Sequence, residues 1–550
     1  MLKCFVYLLT LCGLTLSACT SDQKDMVGKT VFRYNEASGV SSLDPAFARG
    51  QADVWACNQL FNGLLQMNDA LEVVPCIASS YTVSSDGLTY RFRLREDVYF
   101  HNSPAFLNGK GRKVVASDFK YSFNRVLDPA TLSPGTWGFN QGLRDDQGVP
   151  AFSTEGDTVF IIRLSKPFPA FAGLLTTQYC SVVPHEAIGL YGKEFRKNPV
   201  GTGPFKYFLW EERTALVFHK NENYFEFENG QRLPLVDAVS ISFLSDKQSA
   251  FMEFIKGKLD FISGLDASYK DELLDRNGQL STKYVGKFQM EKAPYLNTEY
   301  LGFLLDAPLH NGARNPLLDL RIRKAINHGF DRKKMIRYLR NGIGTPGIYG
   351  FVPPGMPGFD AQKVLGYDYD LQKTRSFLKD AGYPDGKGLP TITLSTTKEY
   401  QDLCEFIQGQ LSEVGMRIKV EVNQGATHRE MVAHQKLNFF RGSWIADYPD
   451  AENYLSLMYS PNHAPVGPNY THFSSSAFDS LYSMAMVETD AAKRNKMYEA
   501  MDSVSMAQSP VVVLYYDEVV RLRSNRVSGL GINAMNLLSL KRVQIVNQVD

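Results

Sequence analysis

The sequence predicts an α/β protein built from two lobes, with an additional β-rich block set into the first of them. Three observations predict it. At 550 residues the chain is too long for one compact core. Strand and helix patterns alternate through most of its length, as in open α/β lobes. Between 71 and 185 the apolar pattern shifts to the two-residue period of half-buried strands.

Taken in order, Val31 onward predicts a strand, which Ser41-Ser42-Leu43-Asp44-Pro45 cannot continue because proline fixes its own φ and constrains its predecessor. Val54, Asn58 and Phe61 near helical spacing predict a helix that stops at Asn62-Gly63, with Leu64-Leu65-Gln66-Met67 as the next strand. Inside the β-rich block, Ser85-Asp86-Gly87 reads as a turn and residues 89–94 alternate as a strand. Val98-Tyr99-Phe100-His101 reads as another strand, and Ser117 is placed to cap the helix that Asp118-Phe119 begins. Residues 158–164 form a further strand, ended by Lys166-Pro167. Beyond the block, Val239–Phe243 is a strand, 247–256 a helix stopped by Gly257, and Leu259-Asp260-Phe261-Ile262 a strand. A second alternation starts near Lys292 with Tyr300-Leu301-Gly302-Phe303-Leu304, followed by helices over 321–327 and 333–340, the latter capped by Asp331. Strands at 392–394, 418–422 and 511–516 complete it, the last returning to the first lobe.

Formal net charge is +1, and Lys3 is the only charged residue in the first eighteen, so the remainder is close to neutral. No basic field is present for nucleic acid or an anionic membrane. The abundant aromatics, 28 Tyr, 35 Phe and 4 Trp, suit a ligand cleft and a large core equally. At the N-terminus, Lys3 precedes a short apolar run from Cys4 to Leu16, then Leu16-Ser17-Ala18-Cys19, the pattern of a secretory signal. The tetrad resembles the bacterial lipobox, in which the cysteine, here Cys19, is acylated and becomes the new N-terminus. Cys57, Cys76, Cys180 and Cys404 remain, none at metal-site or CxxC spacing. Cys57–Cys76 is the one pair close in sequence, and four buried thiols fit as well.

Catalytic patterns are lacking. His185-Glu186 has no second histidine for HExxH, GxSxG is absent, and the SxxK matches at Ser117 and Ser376 have neither SDN nor KTG beside them. Gly342–Gly347 formally matches GxGxxG but leads into Val352-Pro353-Pro354-Gly355 with no helix to hold a phosphate. Gly201-Thr202-Gly203-Pro204 reads as a tight turn. The expectation is no enzyme, no cofactor and no metal.

Five blocks, in order, resemble one family, the dipeptide- and oligopeptide-binding proteins of bacterial ABC importers (extracytoplasmic solute-binding family 5). They are Ser42-Leu43-Asp44-Pro45 with Phe61-Asn62-Gly63-Leu64-Leu65; Asp86–Arg95 with Phe100-His101 and Ala116-Ser117-Asp118; Pro199–Lys206 with Asn221-Glu222-Asn223-Tyr224; Arg321–Asn327 with Asp331-Arg332; and Trp444-Ile445-Ala446-Asp447-Tyr448-Pro449-Asp450. The resemblance implies a two-lobe periplasmic-binding-protein fold of type II, with an extra β-rich subdomain in lobe I. Its boundaries would be a signal peptide at 1–18, a lipidated tether at 19–29, lobe I at 30–70, the β-rich insert at 71–185, more of lobe I at 186–288, lobe II at 289–508 and a return to lobe I at 509–550. Strand crossings near 285–296 and 505–512 would let the lobes close on ligand.

The resemblance also implies a ligand: an extended small peptide, gripped by the backbone and termini that all peptides share. Asp447 matches the family's acidic residue for the peptide α-ammonium; from residue type alone it is equally a turn or cap residue before Tyr448-Pro449. Trp444 would wall the pocket, with a core tryptophan as the other reading. Arg441 matches a position where an arginine can meet peptide carboxylates, and also suits a salt bridge. Arg49, Gly50 and Gln51 match a loop that touches ligand backbone. The implied protein is a monomeric, lipid-anchored envelope protein, periplasmic or surface-exposed, whose partners are a small peptide and an ABC permease, and which meets the membrane through its lipid alone. Relatives on the same scaffold take nickel complexes, haem or sugars, and a scavenging or adhesion lipoprotein without its own permease is the alternative from a different class.

Overall fold

The structure is a computed structural model that describes residues 28–140, 151–307 and 315–546. Cys19 and the rest of the signal and lipobox lie outside the described residues.

One eleven-stranded sheet runs through both lobes. Its order is Ile418–Asn423, Ile392–Thr397, Phe439–Ile445, Phe288–Phe303, Val511–Ser524, Phe261–Ser263, Val31–Asn35, Ala238–Ser242, Ala215–Lys220 and Phe205–Glu211, with Thr345–Pro346 paired separately to Val511–Ser524. The two long strands, Phe288–Phe303 and Val511–Ser524, are antiparallel partners and the only ones that reach into both lobes among the described residues. Their ladder breaks where Pro294 pairs with Glu518 and the next pair is Thr298 with Tyr516. Tyr295, Leu296 and Asn297 therefore stand against the single residue Asp517, a bulge of two extra residues that bends the strand and re-aims side chains. On one side of the break lies Phe261–Ser263 of the first lobe, and on the other Phe439–Ile445 of the second. Most of the 505–512 span belongs to the helix Ala491–Gln508 and its left-handed cap Ser509, and the crossing itself comes later, at Tyr516–Glu518.

The run Val511-Val512-Val513-Leu514 shows why this strand is central. Alternate side chains enter different cores: Val511 and Val513 join Tyr300, Phe351 and Tyr454, while Val512 and Leu514 join Leu301, Phe303 and Ile326. All four are buried, at about 1.5–3 kcal/mol each. The first-lobe core gathers Phe32, Trp55, Phe92, Phe119 and Phe160 together with Leu538, Leu540 and Val543 from the far end of the chain. That return is fixed by hydrogen bonds: Trp55 Nε1 donates to Asn536 O at 2.8 Å and Gln59 Nε2 to Leu538 O at 2.8 Å. The β-rich insert is an antiparallel sheet in the order Ala78–Val83, Thr89–Leu94, Val159–Arg163, Phe152–Glu155.

Three local expectations change, and the open choice for the cysteines is decided. Val98–His101 is not a ladder strand; only Tyr99 bridges, to Lys113. The helix Ala116–Leu127 starts one residue before Ser117, and its cap is made by Asp118, whose Oδ2 accepts from Val115 N at 2.9 Å. Gly201 and Gly203 are required by close approach, not by a left-handed φ: a Cβ on either would collide with the backbone of Leu60. Cys57, Cys76, Cys180 and Cys404 are buried free thiols.

Candidate ligand-binding cleft

Each lobe presents the carboxyl ends of parallel strands, where an open α/β sheet leaves a crevice for ligand. In the first lobe Val31–Asn35 runs parallel to Ala238–Ser242 and to Phe261–Ser263, and Glu36 to Ser38 follow its end. In the second lobe Ile392–Thr397 runs parallel to Ile418–Asn423 and Phe439–Ile445. Tyr400 follows the first of these and Ala446-Asp447-Tyr448 follows the last. Insert residues 168–180 join the two sets. The Phe168 ring meets that of Tyr448 edge-on with centroids 6.1 Å apart, and a Cβ on Gly173 would lie 3.6 Å from that of Tyr448. Further along the same segment, Gln178 Nε2 donates to Ala48 O at 2.7 Å, beside Arg49.

The Asp447 side chain is exposed, yet the protein around it pushes its carboxyl pKa up by burial. A group that solvent reaches but protein surrounds on its other sides sits on the wall of a cleft. Only Asn453 opposes the shift, with Nδ2 at 3.5 Å from Oδ2, and no cation among the described residues contributes. Asn453 is the hub of this corner. Its Oδ1 accepts from Trp444 Nε1 at 2.9 Å and from Asp447 N at 3.2 Å, which ties the half-buried indole to the carboxylate's backbone. Behind it, the fully enclosed Glu452 accepts from the Tyr448 hydroxyl at 2.5 Å and also from that of Tyr482.

Across the gap, burial raises the pKa of the Tyr179 hydroxyl, Arg49 lowers it and Asp447 raises it. Two charges from different lobes thus act on one hydroxyl. Gly50 is the N-cap of Gln51–Leu60, so Arg49, Gly50 and Gln51 stand exposed at the helix entry.

A family profile described as bacterial extracellular solute-binding proteins, family 5, middle region, matches residues 72–465. The chain belongs to that family. The glutathione-binding protein GsiB of Escherichia coli K12 is 24% identical over 523 residues, 94% of each chain. Among solved structures, the periplasmic binding protein DppA of Helicobacter pylori, in complex with the peptide STSA, aligns with a TM-score of 0.73 at 23% identity, over 96% of this chain and 100% of that one. HbpA2 of Haemophilus parasuis aligns at 0.79 with 22% identity, over 94% and 100%. These likenesses fix the two-lobe periplasmic-binding-protein fold.

Within this family-5 fold the sequence-predicted residues fall into two groups. Asp447, Trp444, Arg49, Gly50 and Gln51 lie around the strand ends just described. Arg441 is placed differently. Its guanidinium is paired with the buried Glu299 and lies 3.2 Å over the ring of Tyr400, and its side chain is 12% exposed. Burial pushes the Glu299 carboxyl pKa up and Arg441 pulls it down. Arg441 therefore does not offer a free charge to a ligand carboxylate; Glu299, on the neighbouring strand, already takes it. A second pair lies alongside, Arg340 with Asp517 at 2.5 Å, with Arg340 also donating to the Tyr515 hydroxyl at 2.8 Å. Tyr295, on the bulge, feels Asp517, and the buried Tyr454 feels both Tyr295 and Asp447. Sequence reasoning missed Asn453, Glu299, Tyr400 and Tyr295. The position of Tyr400 just beyond a predicted strand end was the one usable signal, since the others depend on strand order and a bulge.

Proposed function

We propose that this solute-binding protein captures small peptides between its lobes, holds the ligand's α-ammonium on Asp447, and delivers the ligand to an ABC permease while anchored to the envelope by lipid on Cys19. The observation that carries the reading is a cleft carboxylate with no protein cation beside it, oriented by Asn453 and flanked by Trp444. An ion pair formed there on closure compensates a charge that the surrounding protein has partly desolvated. The GsiB and DppA relatives, named for glutathione and bound to a peptide respectively, favour ligands with a free ammonium and a peptide backbone. Arg49 and Gln51 contribute from the first lobe. Arg441 stays behind the wall, fixed by Glu299.

Calorimetric titration with di- to hexapeptides and their N-acetylated forms tests this. N-acetylation weakens binding at least tenfold, about 1.4 kcal/mol. Asp447→Asn weakens free peptides by a similar factor and leaves the acetylated ones nearly as they were. Equal binding of free and acetylated peptides removes Asp447 from the role.

A further inference from the structure

A cavity of about 240 Å³ opens at the carboxyl ends of the first-lobe strands, bounded by Glu36, Ser38, Gln51, Trp55, Lys247 and Tyr269. It exceeds the ~150 Å³ that accommodates a benzene-sized guest. Gln51 opens the helix behind Arg49 and Gly50, and Glu36 and Ser38 directly follow the strand Val31–Asn35, so the cavity lies at the first-lobe strand ends that face the proposed crevice. We infer that this alcove receives a cationic side chain of the ligand, and that Glu36 is the residue that selects it. The inference rests on the peptide-binding reading above.

The charge inventory supports it. Glu36 Oε1 accepts from Ser38 Oγ at 2.8 Å, and no Lys or Arg of the described residues forms an ion pair with Glu36. The nearest cation to bear on it, Lys247, is paired with Asp266 at 3.2 Å, so its charge is already matched. Asp53, the other carboxylate that Glu36 feels, is satisfied by Ser41 N and Ser41 Oγ, each at 2.7 Å, and by Ser42 N at 3.3 Å. Glu36, Asp53 and Asp266 carry three negative charges here against the one positive charge of Lys247, which itself lines the cavity, so the region is net negative, with Glu36 half-buried in it. Trp55 and Tyr269 supply its apolar sides. A lysine or arginine side chain matches this lining: a methylene stem along the aromatic walls and a charged end at Glu36. A purely apolar side chain would leave the carboxylate desolvated without a partner, and an acidic one would add like charge.

The test is calorimetry with three tripeptide sets, Xaa-Ala-Ala, Ala-Xaa-Ala and Ala-Ala-Xaa, with Xaa as lysine, norleucine or glutamate. In at least one set lysine binds tenfold or more tightly than norleucine, and glutamate binds weakest. Glu36→Gln collapses the lysine-to-norleucine ratio to within threefold. Lys247→Met, which releases Asp266, raises that ratio, so the two variants move it in opposite directions and a folding defect in one does not decide the matter. Peptides that bind with no lysine preference in any set overturn the role of Glu36 while leaving the role of Asp447 intact. Absence of binding by every peptide in all three sets overturns the peptide reading and this inference together.

Discussion

The Glu299–Arg441 pair makes a sharp prediction because both partners are nearly out of solvent, at 3% and 12% exposure. Glu299→Gln keeps the size and removes the charge. Arg441 is then a buried cation whose remaining support is the ring of Tyr400, with a guanidinium Nε that already lacks a hydrogen-bond partner in the protein. Breaking a buried ion pair from one side costs about 3–5 kcal/mol, whereas replacing both partners by apolar groups of similar volume is often neutral or better. Glu299→Gln should therefore lower the stability of the second lobe by about 3 kcal/mol or more, and the double variant Glu299→Leu/Arg441→Met should recover most of that loss. Urea unfolding of wild type, Glu299→Gln, Glu299→Leu, Arg441→Met and the double variant Glu299→Leu/Arg441→Met, followed through tryptophan fluorescence and amide hydrogen exchange of the strand Phe439–Ile445, measures both quantities. A single-variant cost below about 1 kcal/mol, or a double variant as unstable as the sum of the singles, refutes the view that Arg441 is neutralised internally. It would return Arg441 to the group of free ligand-facing charges.

Two further outcomes are expected. Asp502 is fully buried, accepts from Phe351 N at 2.8 Å and Val352 N at 3.2 Å, and burial pushes its pKa up to about 6 from 3.8. Because the folded state holds this proton more tightly than the unfolded one, the group's contribution is complete below pH 3.8 and is lost as pH rises through 6. The stability difference between wild type and Asp502→Asn should shift by about 2–3 kcal/mol in favour of wild type from pH 7 down to pH 4, and a flat difference across that range refutes the assignment. Phe168→Leu keeps an apolar group against Tyr448 but loses the edge-on ring pair, worth about 0.5–1.5 kcal/mol. Peptide affinity should fall roughly 2- to 12-fold, with small-angle scattering showing a more open average; unchanged affinity and shape would show that this contact does not hold the lobes together.

The parts of this molecule legible in the sequence are those encoded locally. Asp331 caps Arg332–Leu339 as its position ahead of the helix required, and the apolar run at Val511 folds as a buried strand. Asp447 and Trp444 enter the proposed site through one contiguous block. What stayed hidden depends on strand order. Nothing near Arg441 in the chain shows that Glu299 will lie on the next strand, where the register sets it opposite Ser443. Tyr295 is re-aimed by a bulge that appears only in the pairing of the two crossing strands at the lobe junction. Glu36 carries no signal in the sequence, since its value as a charge depends on Lys247 being paired with Asp266. The helix cap at Asp118 is a smaller case: Ser117 and Asp118 are both good caps by residue type, and the helix start decides between them.

Recognition and closure share one turn. Tyr448 belongs to the second lobe by sequence, yet it is buried in the first lobe's core against Phe168, and its neighbour Asp447 carries the cleft carboxylate. Docking this turn onto the insert brings protein around Asp447, which raises the cost of its charge when no partner is present, as the upward pKa shift records. On the proposed reading, a ligand ammonium would remove that cost in a closed arrangement and gain little in an open, hydrated one. The ligand therefore binds the two arrangements with different affinity, which is the only way it can shift the balance between them. The apolar contact of Tyr448 and the unpaired charge of Asp447 oppose each other in the empty protein and act together in the loaded one, so a neutral ligand of the same shape would fill the cleft without closing it to the same extent.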